Sequence, residues 1–323
     1  MAIILSNRDL APLYRDAAAM DGLLGAVEAS LCCHAQGTVA GQVRLATSLA
    51  DAKKRFRVTS AAVPDAGLAM RVNGLFSGAR DSRFILLFDG ENGSLLSVMA
   101  DHELNVWRTG APAGVASRYL ARSGADTLGI LGSGRQARGQ LLAIQRSLRS
   151  LRKAKVFSPT VEHRSAFAAE MSKWLGIEVQ AVDNPKAAIA NSPVISLATN
   201  SRSTVIESSW IAPGALVNSI TSGQLPKDLV ANSRVIVSWK EEVLAGEAPR
   251  QPYAAMIAAG EWSGDKIDGE LGEIILGKRP GRRNESEITV FESVGMPIWD
   301  SCAAAWAYRW ALAHNAGMAF SLD

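Results

Sequence analysis

Hydrophobic positions recur along the chain with two different periods. Residues 2–5 form a short apolar run that predicts a strand. From Asp9 to about Gln36, Leu23, Leu24, Val27 and Leu31 recur at helical spacing, which predicts a helix with one core-facing stripe. Between Gln42 and Met99 the pattern shortens to alternating runs, Val43–Thr47, Phe56–Ala61, Leu68–Val72, Phe84–Phe88 and Leu95–Met99. The last two are joined by Asp89-Gly90-Glu91-Asn92-Gly93, a hairpin signal, so an antiparallel sheet is predicted. Asp101–Arg122 reads as helix. From Thr127 onward strand and helix alternate. Strand Thr127–Leu131 leads into a helix carrying Leu141, Leu142, Ile144 and Leu148, then come strand Lys155–Ser158 and helix Val161–Leu175, ended by Gly176. Strand Ile177–Val182, short helix Pro185–Asn191 and strands Val194–Ala198, Ala215–Ile220 and Val235–Trp239 follow. Such alternation predicts a doubly wound parallel sheet with right-handed crossovers. Residues 252–282 read as mixed helix and loop, before a strand Glu287–Ser293 and a closing helix Asp300–Ala316. Trp306, Tyr308 and Trp310 of that helix are expected to dock back on the first part of the chain.

Length changes this picture by making two domains the expectation, because 323 residues exceed one ordinary core. With 48% hydrophobic and 20% charged residues, the chain has the composition of a soluble globular protein. No apolar stretch reaches membrane-span length, and the N-terminus MAIILSNRDL lacks the basic segment of a secretory signal, so no membrane association and a cytoplasmic location are expected. Lys and Arg number 34 against 31 Asp and Glu. Apart from Lys53–Arg57 and Arg279–Arg283 the basic residues are scattered, which argues against nucleic acid as a partner. Cys32 and Cys33 are adjacent and Cys302 is remote, so they form neither a disulfide framework nor a metal cluster and read as buried free thiols. His34, His102, His163 and His314 are dispersed without zinc-ligand spacing, and no metal is expected.

The candidate chemistry lies where the first strand of the alternating region ends. Gly132-Ser133-Gly134-Arg135-Gln136-Ala137 is a G-x-G-x-x-A dinucleotide fingerprint. Gly132 permits the tight turn, Gly134 lets backbone amides approach a pyrophosphate, and Ala137 lets helix and strand pack closely. The phosphate would sit on the helix N-terminus, favoured by its dipole. A tight turn without a ligand is the bland alternative; the order strand, fingerprint, helix, second strand favours the nucleotide. Ala198, which ends strand Val194–Ala198, and Thr199 after it are assigned to the same site. Enzymes that prefer NAD carry an Asp or Glu about 20 residues past the glycines. Here Ser158 and Thr160 occupy that region with no acid before Glu162, and His163 and Arg164 follow. NADP(H) is therefore expected over NAD(H), which stays possible. In the competing reading Arg164 is a solvated helix residue.

Four segments resemble the ornithine cyclodeaminase/mu-crystallin family. They are Arg108-Thr109-Gly110-Ala111 running into Ala116–Ala121, the fingerprint ILGSGRQA, Trp210–Asn218, and Gly272–Gly295 with its Gly277–Arg282 and Ile288–Gly295 motifs. The resemblance implies an α/β homodimer. A Rossmann domain (111–295) would bind NAD(P), and an α+β substrate and dimerisation domain (1–110) would be completed by the C-terminal helix (296–323). It also implies that Arg44 and Arg108 grip a substrate carboxylate, a task suited to the planar guanidinium fork. For Arg108 the bland alternative is an arginine that bridges helices. Arg71 stands where the family has a lysine, so carboxylate binding survives there and proton donation does not, since guanidinium does not give up its proton. Arg80 or Ser82 falls near a family threonine.

Gly223 stands where family members that cyclise ornithine have an aspartate, which makes that reaction unexpected. The expectation is an NADP(H)-preferring imine or ketimine reductase for a small α-imino acid. Ornithine cyclodeaminase, an alanine-type amino-acid dehydrogenase using a keto acid and ammonia, and a nucleotide-bound ligand-binding protein with little turnover are the rivals. Three arginines exceed what one carboxylate needs, so a dicarboxylic substrate is a subsidiary expectation.

Overall fold

The computed structural model describes residues 1–48, 54–76, 82–246 and 249–321. Arg80 and Lys53 lie outside the described residues. The chain divides into two compact units, one of Met1–Arg108 with Met296–Asp323 and one of Thr109–Gly295.

In the first unit, strands β1 (Ala2–Leu5), β2 (Ala40–Ser48), β3 (Lys54–Val63), β4 (Gly67–Phe76), β5 (Ser82–Phe88) and β6 (Leu95–Ala100) join a C-terminal strand, Met318–Phe320. Their order across the sheet is Met318–Phe320, β1, β6, β5, β4, β3, β2. The β2 to β6 ladder is antiparallel, as the alternation predicts, and β1 joins it parallel to β6. Alternate residues leave opposite faces. The inner face carries buried Ala61, Val63, Ala69, Ile85, Leu87 and Met99, on which helix Pro297–Ala313 packs beside helix Met20–Gln36. The closing helix begins at Pro297 rather than Asp300, because proline suits a first turn whose amide has no intrahelical partner. As expected, it docks within this unit, where Trp306 stacks on Trp107 with ring centroids 5.8 Å apart.

The helix predicted from Asp9 is three pieces, Ala11–Arg15, a short 3₁₀ turn Ala17–Ala19, and Met20–Gln36. Asp16 breaks it. Its backbone is extended and its Oδ1 accepts a hydrogen bond from the Ala18 amide at 2.9 Å, a local alternative to the helical ladder. Of the three thiols only Cys302 is buried; Cys32 and Cys33 are half-buried, a correction to the uniform burial expected.

In the second unit, β7 (Thr127–Leu131), β8 (Lys153–Phe157), β9 (Glu178–Ala181), β10 (Val194–Leu197), β11 (Leu216–Ser219), β12 (Arg234–Val237), β13 (Ile267–Glu270) and β14 (Thr289–Glu292) form one sheet. The order is β13-β12-β14-β11-β10-β7-β8-β9, and every pairing is parallel. Strands β10, β11, β12 and β14 are buried throughout, as in a parallel sheet covered on both faces, and their polar residues Ser196, Asn218, Ser219, Arg234, Thr289 and Glu292 are buried with the apolar ones. The chain winds outward from β7 through β8 to β9, then returns to β10 on the other side of β7. That reversal is the topological switch point at which such sheets bind ligands, outside the carboxyl ends of the strands. Strand β13 lies inside the segment read as mixed helix and loop. Its four residues, Ile-Asp-Gly-Glu, alternate in burial, but one apolar residue among a glycine and two acids is too weak a strand signal to read.

Candidate active site

The second unit places most of its sequence-predicted site residues at the carboxyl ends of β7, β8 and β10. Gly132 follows β7 with φ +110, and a Cβ there would lie 2.3 Å from the Ala198 carbonyl, so the turn after β7 packs backbone to backbone against the turn after β10. The Gly132 amide donates to Phe157 O at 2.8 Å, and the Ala198 amide to Leu131 O at 2.8 Å. Gly134 is the N-cap of helix Arg135–Ser147, has open space around its Cα, and supplies no side chain to cap the first turn. Ala137 is fully buried under that turn, while Arg135 is exposed and Gln136 half-buried. The Ser133 and Ser158 hydroxyls lie 2.8 Å apart. An uncapped helix start, a turn that excludes Cβ and two adjacent hydroxyls fit a dinucleotide pyrophosphate and ribose.

Arg164 is not a solvated helix residue. It is only 6% exposed, lies over the Phe157 ring, donates to Ser158 O at 3.0 Å and pairs with Asp183 at 2.9 Å. Thr160 is exposed at the start of helix Val161–Leu175. The Thr199 hydroxyl accepts a hydrogen bond from Gln224 Nε2 at 2.9 Å. At the ends of β11 and β14 the sheet buries Ser219 and Glu292, and Arg250 pairs with Glu292 through Nε at 2.7 Å. Burial pushes the Glu292 carboxyl up, against the opposing pull of Arg250. Gly223 has φ +88, and a Cβ would lie 2.7 Å from Arg202 O, so this backbone disfavours any side chain at the position of the family aspartate.

The first unit brings the three predicted arginines to one place. Arg44 is paired in register with Thr59, and Thr59 with Arg71, so the three side chains leave the same face of the sheet in a row. The next row on that face holds Ala46, Arg57, Asn73 and Arg83. One end of the inner face is thus apolar and the other strongly cationic. Two carboxylates meet the arginines. Asp101, which precedes helix His102–Leu120, accepts from Arg71 Nε at 2.5 Å. Asp300, on helix Pro297–Ala313, lies 2.9 Å from Arg108 Nε and 4.0 Å from Arg71 Nε, and accepts from the Thr59 hydroxyl at 3.0 Å. All four charged groups are less than 10% exposed.

Burial pushes the Asp101 carboxyl above the ordinary carboxylate range, with Asp300 adding to the shift and Arg71 and Arg108 opposing it. Burial alone would lower the Arg71 guanidinium, but Asp300 and Asp101 outweigh it and hold the group above its ordinary value. Arg108 is pushed down, first by burial and then by Arg71 and Arg44, against Asp300. Asp101, Asp300 and Thr59 escaped the sequence reading. Register supplies the signal that would have found Thr59, since it lies between two arginines on neighbouring strands; no sequence signal joins Asp300 to residues some two hundred positions earlier. Ser82 begins β5.

A parallel sheet with a dinucleotide turn, joined in one chain to a unit with a buried arginine and carboxylate cluster, defines the class as a nicotinamide-dependent enzyme of small carboxylates. The chain belongs to the ornithine cyclodeaminase/mu-crystallin family, whose profile matches residues 15–315. It is 34% identical over 239 residues to a Delta(1)-pyrroline-2-carboxylate reductase of Bacillus cereus, covering 72% of each chain. The Delta(1)-pyrroline-2-carboxylate reductase of Thermococcus litoralis, solved in complex with NADH and L-proline, superposes with a TM-score of 0.89 at 31% identity, covering 98% of this chain and 100% of that one. The iminosuccinate reductase of Paracoccus denitrificans, solved with NAD+, shares the fold with a TM-score of 0.86 at 21% identity, covering 98% and 99% of the two chains.

Proposed function

We propose that this chain reduces the C=N bond of a small α-imino acid at the expense of a nicotinamide nucleotide. The observation that carries this reading is the row Arg44, Thr59, Arg71 with Arg108 beside it, in a chain whose relatives include reductases of a cyclic imino acid. Arg44, Arg71 and Arg108 hold the substrate carboxylate. Asp101 and Asp300 fix the last two arginines so that little ordering entropy is lost on binding. The nucleotide, when bound on Gly132, Ser133, Gly134, Ala198 and Thr199, supplies hydride. With Arg71 in the place of a lysine and glycine at 223, no side chain is assigned as acid; an iminium substrate already carries its proton.

NADP(H) is the preferred nucleotide in this reading, supported by the neutral Ser158 and Thr160 and the buried Arg164 cation behind them. A homodimer is supported by the outer face of the first unit's sheet, where Leu45, Phe56 and Leu68 are exposed and Val58, Met70, Val72, Phe84 and Leu86 are half-exposed on the same side. No helix among the described residues is long and apolar enough to cross a membrane, and a cytoplasmic location is proposed with the rest.

The test is oxidation of NADPH, and separately NADH, by the purified protein against cyclic and acyclic α-imino acids, with and without ammonia. Turnover of an imine without ammonia, lost in Arg108→Ala while nucleotide binding persists, is the expected result. Strict ammonia dependence would instead mark an amino-acid dehydrogenase. Nucleotide binding without oxidation by any imine would leave a ligand-binding protein.

A further inference from the structure

Gln224 belongs to none of the motifs that define the site, yet its amide is fully buried in the second unit. Its Nε2 faces three oxygens, the Thr199 carbonyl at 3.1 Å, the Thr199 hydroxyl at 2.9 Å and the Ser201 carbonyl at 2.8 Å. Three acceptors around one atom can only be served by the NH₂ end of the amide, so its orientation is fixed by the network. The segment that carries Gln224 is anchored at successive residues. Thr221 Oγ1 donates to Thr199 O at 3.2 Å, Ser222 Oγ accepts from the Gln251 amide at 2.9 Å, the Gly223 amide donates to Gln251 O at 2.9 Å, and Gln224 O accepts from the Val205 amide at 3.3 Å. The turn after β11 therefore acts as a clamp on the turn after β10. That second turn is the one whose backbone touches Gly132, with the Ala198 carbonyl and Thr199 amide 2.3 and 3.1 Å from where a Cβ on Gly132 would be.

We propose that Gln224 is a positioning residue for the nicotinamide nucleotide, acting through Thr199 and the backbone contact with Gly132. This rests on the reading of the second unit as the nucleotide-binding unit. Thr199 and Ser201 are half-buried and Asn200 is exposed. Thr199 O also accepts from Thr221 Oγ1 and Thr199 Oγ1 from the Ser201 amide, but only the buried Gln224 amide joins all three acceptors, so without it residues 199–201 are free to turn toward water. The Ala198–Gly132 packing then loosens, and the fingerprint no longer presents its amides in one geometry.

The test compares wild-type protein with Gln224→Met and Gln224→Glu, measuring NADPH and NADH affinity by nucleotide fluorescence and the KM for the best imine at saturating nucleotide. Methionine keeps the volume without the donor; glutamate sets a carboxylate oxygen against the same three acceptors. The expected result is nucleotide affinity about tenfold weaker in Gln224→Met and weaker still in Gln224→Glu, with the imine KM within about twofold of wild type. Nucleotide affinity in Gln224→Met within twofold of wild type would overturn the inference, as would a loss of nucleotide affinity matched by an equal rise in imine KM and a lowered melting midpoint, which marks general damage. If the wild-type protein binds neither nucleotide, the reading of the unit fails and the inference with it. If the wild type binds and Gln224→Met binds equally well, only the role of Gln224 is lost.

Discussion

Asp300 keeps one oxygen near Arg108 and Arg71 and accepts from Thr59 with the other, and each of its ionic partners is buried. A charge in such surroundings is tolerable only while its counter-charge stays, because removing one member exposes the full desolvation cost of the other. Asp300→Ala is accordingly expected to destabilise the protein by about 3–5 kcal/mol, read as a shift in the denaturant midpoint at unchanged slope. Asp101 makes a pH prediction. Its folded carboxyl titrates above the unfolded one, so the folded state binds more protons between the ordinary carboxylate value, about 3.9, and the raised value. Its contribution to stability is largest below that window and declines as pH rises through it. Unfolding free energies measured across the window should therefore show wild type losing ground to Asp101→Asn with rising pH; a gap that widens in favour of wild type would contradict the assignment.

Among the elements, the strand-to-helix unit β7 to Arg135–Ser147 shows how local pattern and remote packing combine. The apolar run Thr127–Leu131 and the two glycines made the turn legible in the sequence. That Gly132 also abuts the Ala198 carbonyl was not, since the contact joins residues more than sixty positions apart through the neighbouring strands β7 and β10. Gly132→Ala is expected to weaken nucleotide binding by about fivefold to a hundredfold, because the positive φ and the blocked Cβ impose strain of about 1–3 kcal/mol, which the turn can relieve only by moving. Circular dichroism with a nucleotide titration checks this, and binding within twofold of wild type would show that the turn tolerates a methyl group. Two short strands were not legible in the local pattern. Strand β13 alternates in burial but has only one large apolar residue, Ile267, beside a glycine and two acids, and Met318–Phe320 is a strand only because β1 offers it an edge.

At the scale of the whole molecule, the first unit's sheet has one face covered by its own helices and one left apolar. A contiguous apolar face on a monomer marks an interaction surface, and a second copy is the proposed occupant. Light scattering should give twice the mass of the 34.3 kDa chain, and Phe56→Glu with Leu45→Lys should shift the protein toward monomer. An unchanged dimer would place the interface elsewhere. Nucleotide offers a second whole-molecule measurement that separates the units. A ligand at 100 times its Kd stabilises the state that binds it by about 2.7 kcal/mol, so a bound nicotinamide nucleotide should raise the melting midpoint most for transitions reported from the second unit.

Periodicity and the fingerprint by themselves determined the succession of an antiparallel region and a doubly wound region, because burying one face of a strand or helix writes its period into the sequence. The same local rule located Gly132, Ser133, Gly134 and Ala137, whose chemistry is contained in six consecutive residues. Only the tertiary structure decided that Arg44, Thr59 and Arg71 share a row, that Asp101 and Asp300 hold Arg71 and Arg108, and that Gln224 grips Thr199. These depend on strand register and on contacts between residues far apart in the chain, and no local pattern of hydrophobic and polar positions encodes which distant partner a buried charge will meet.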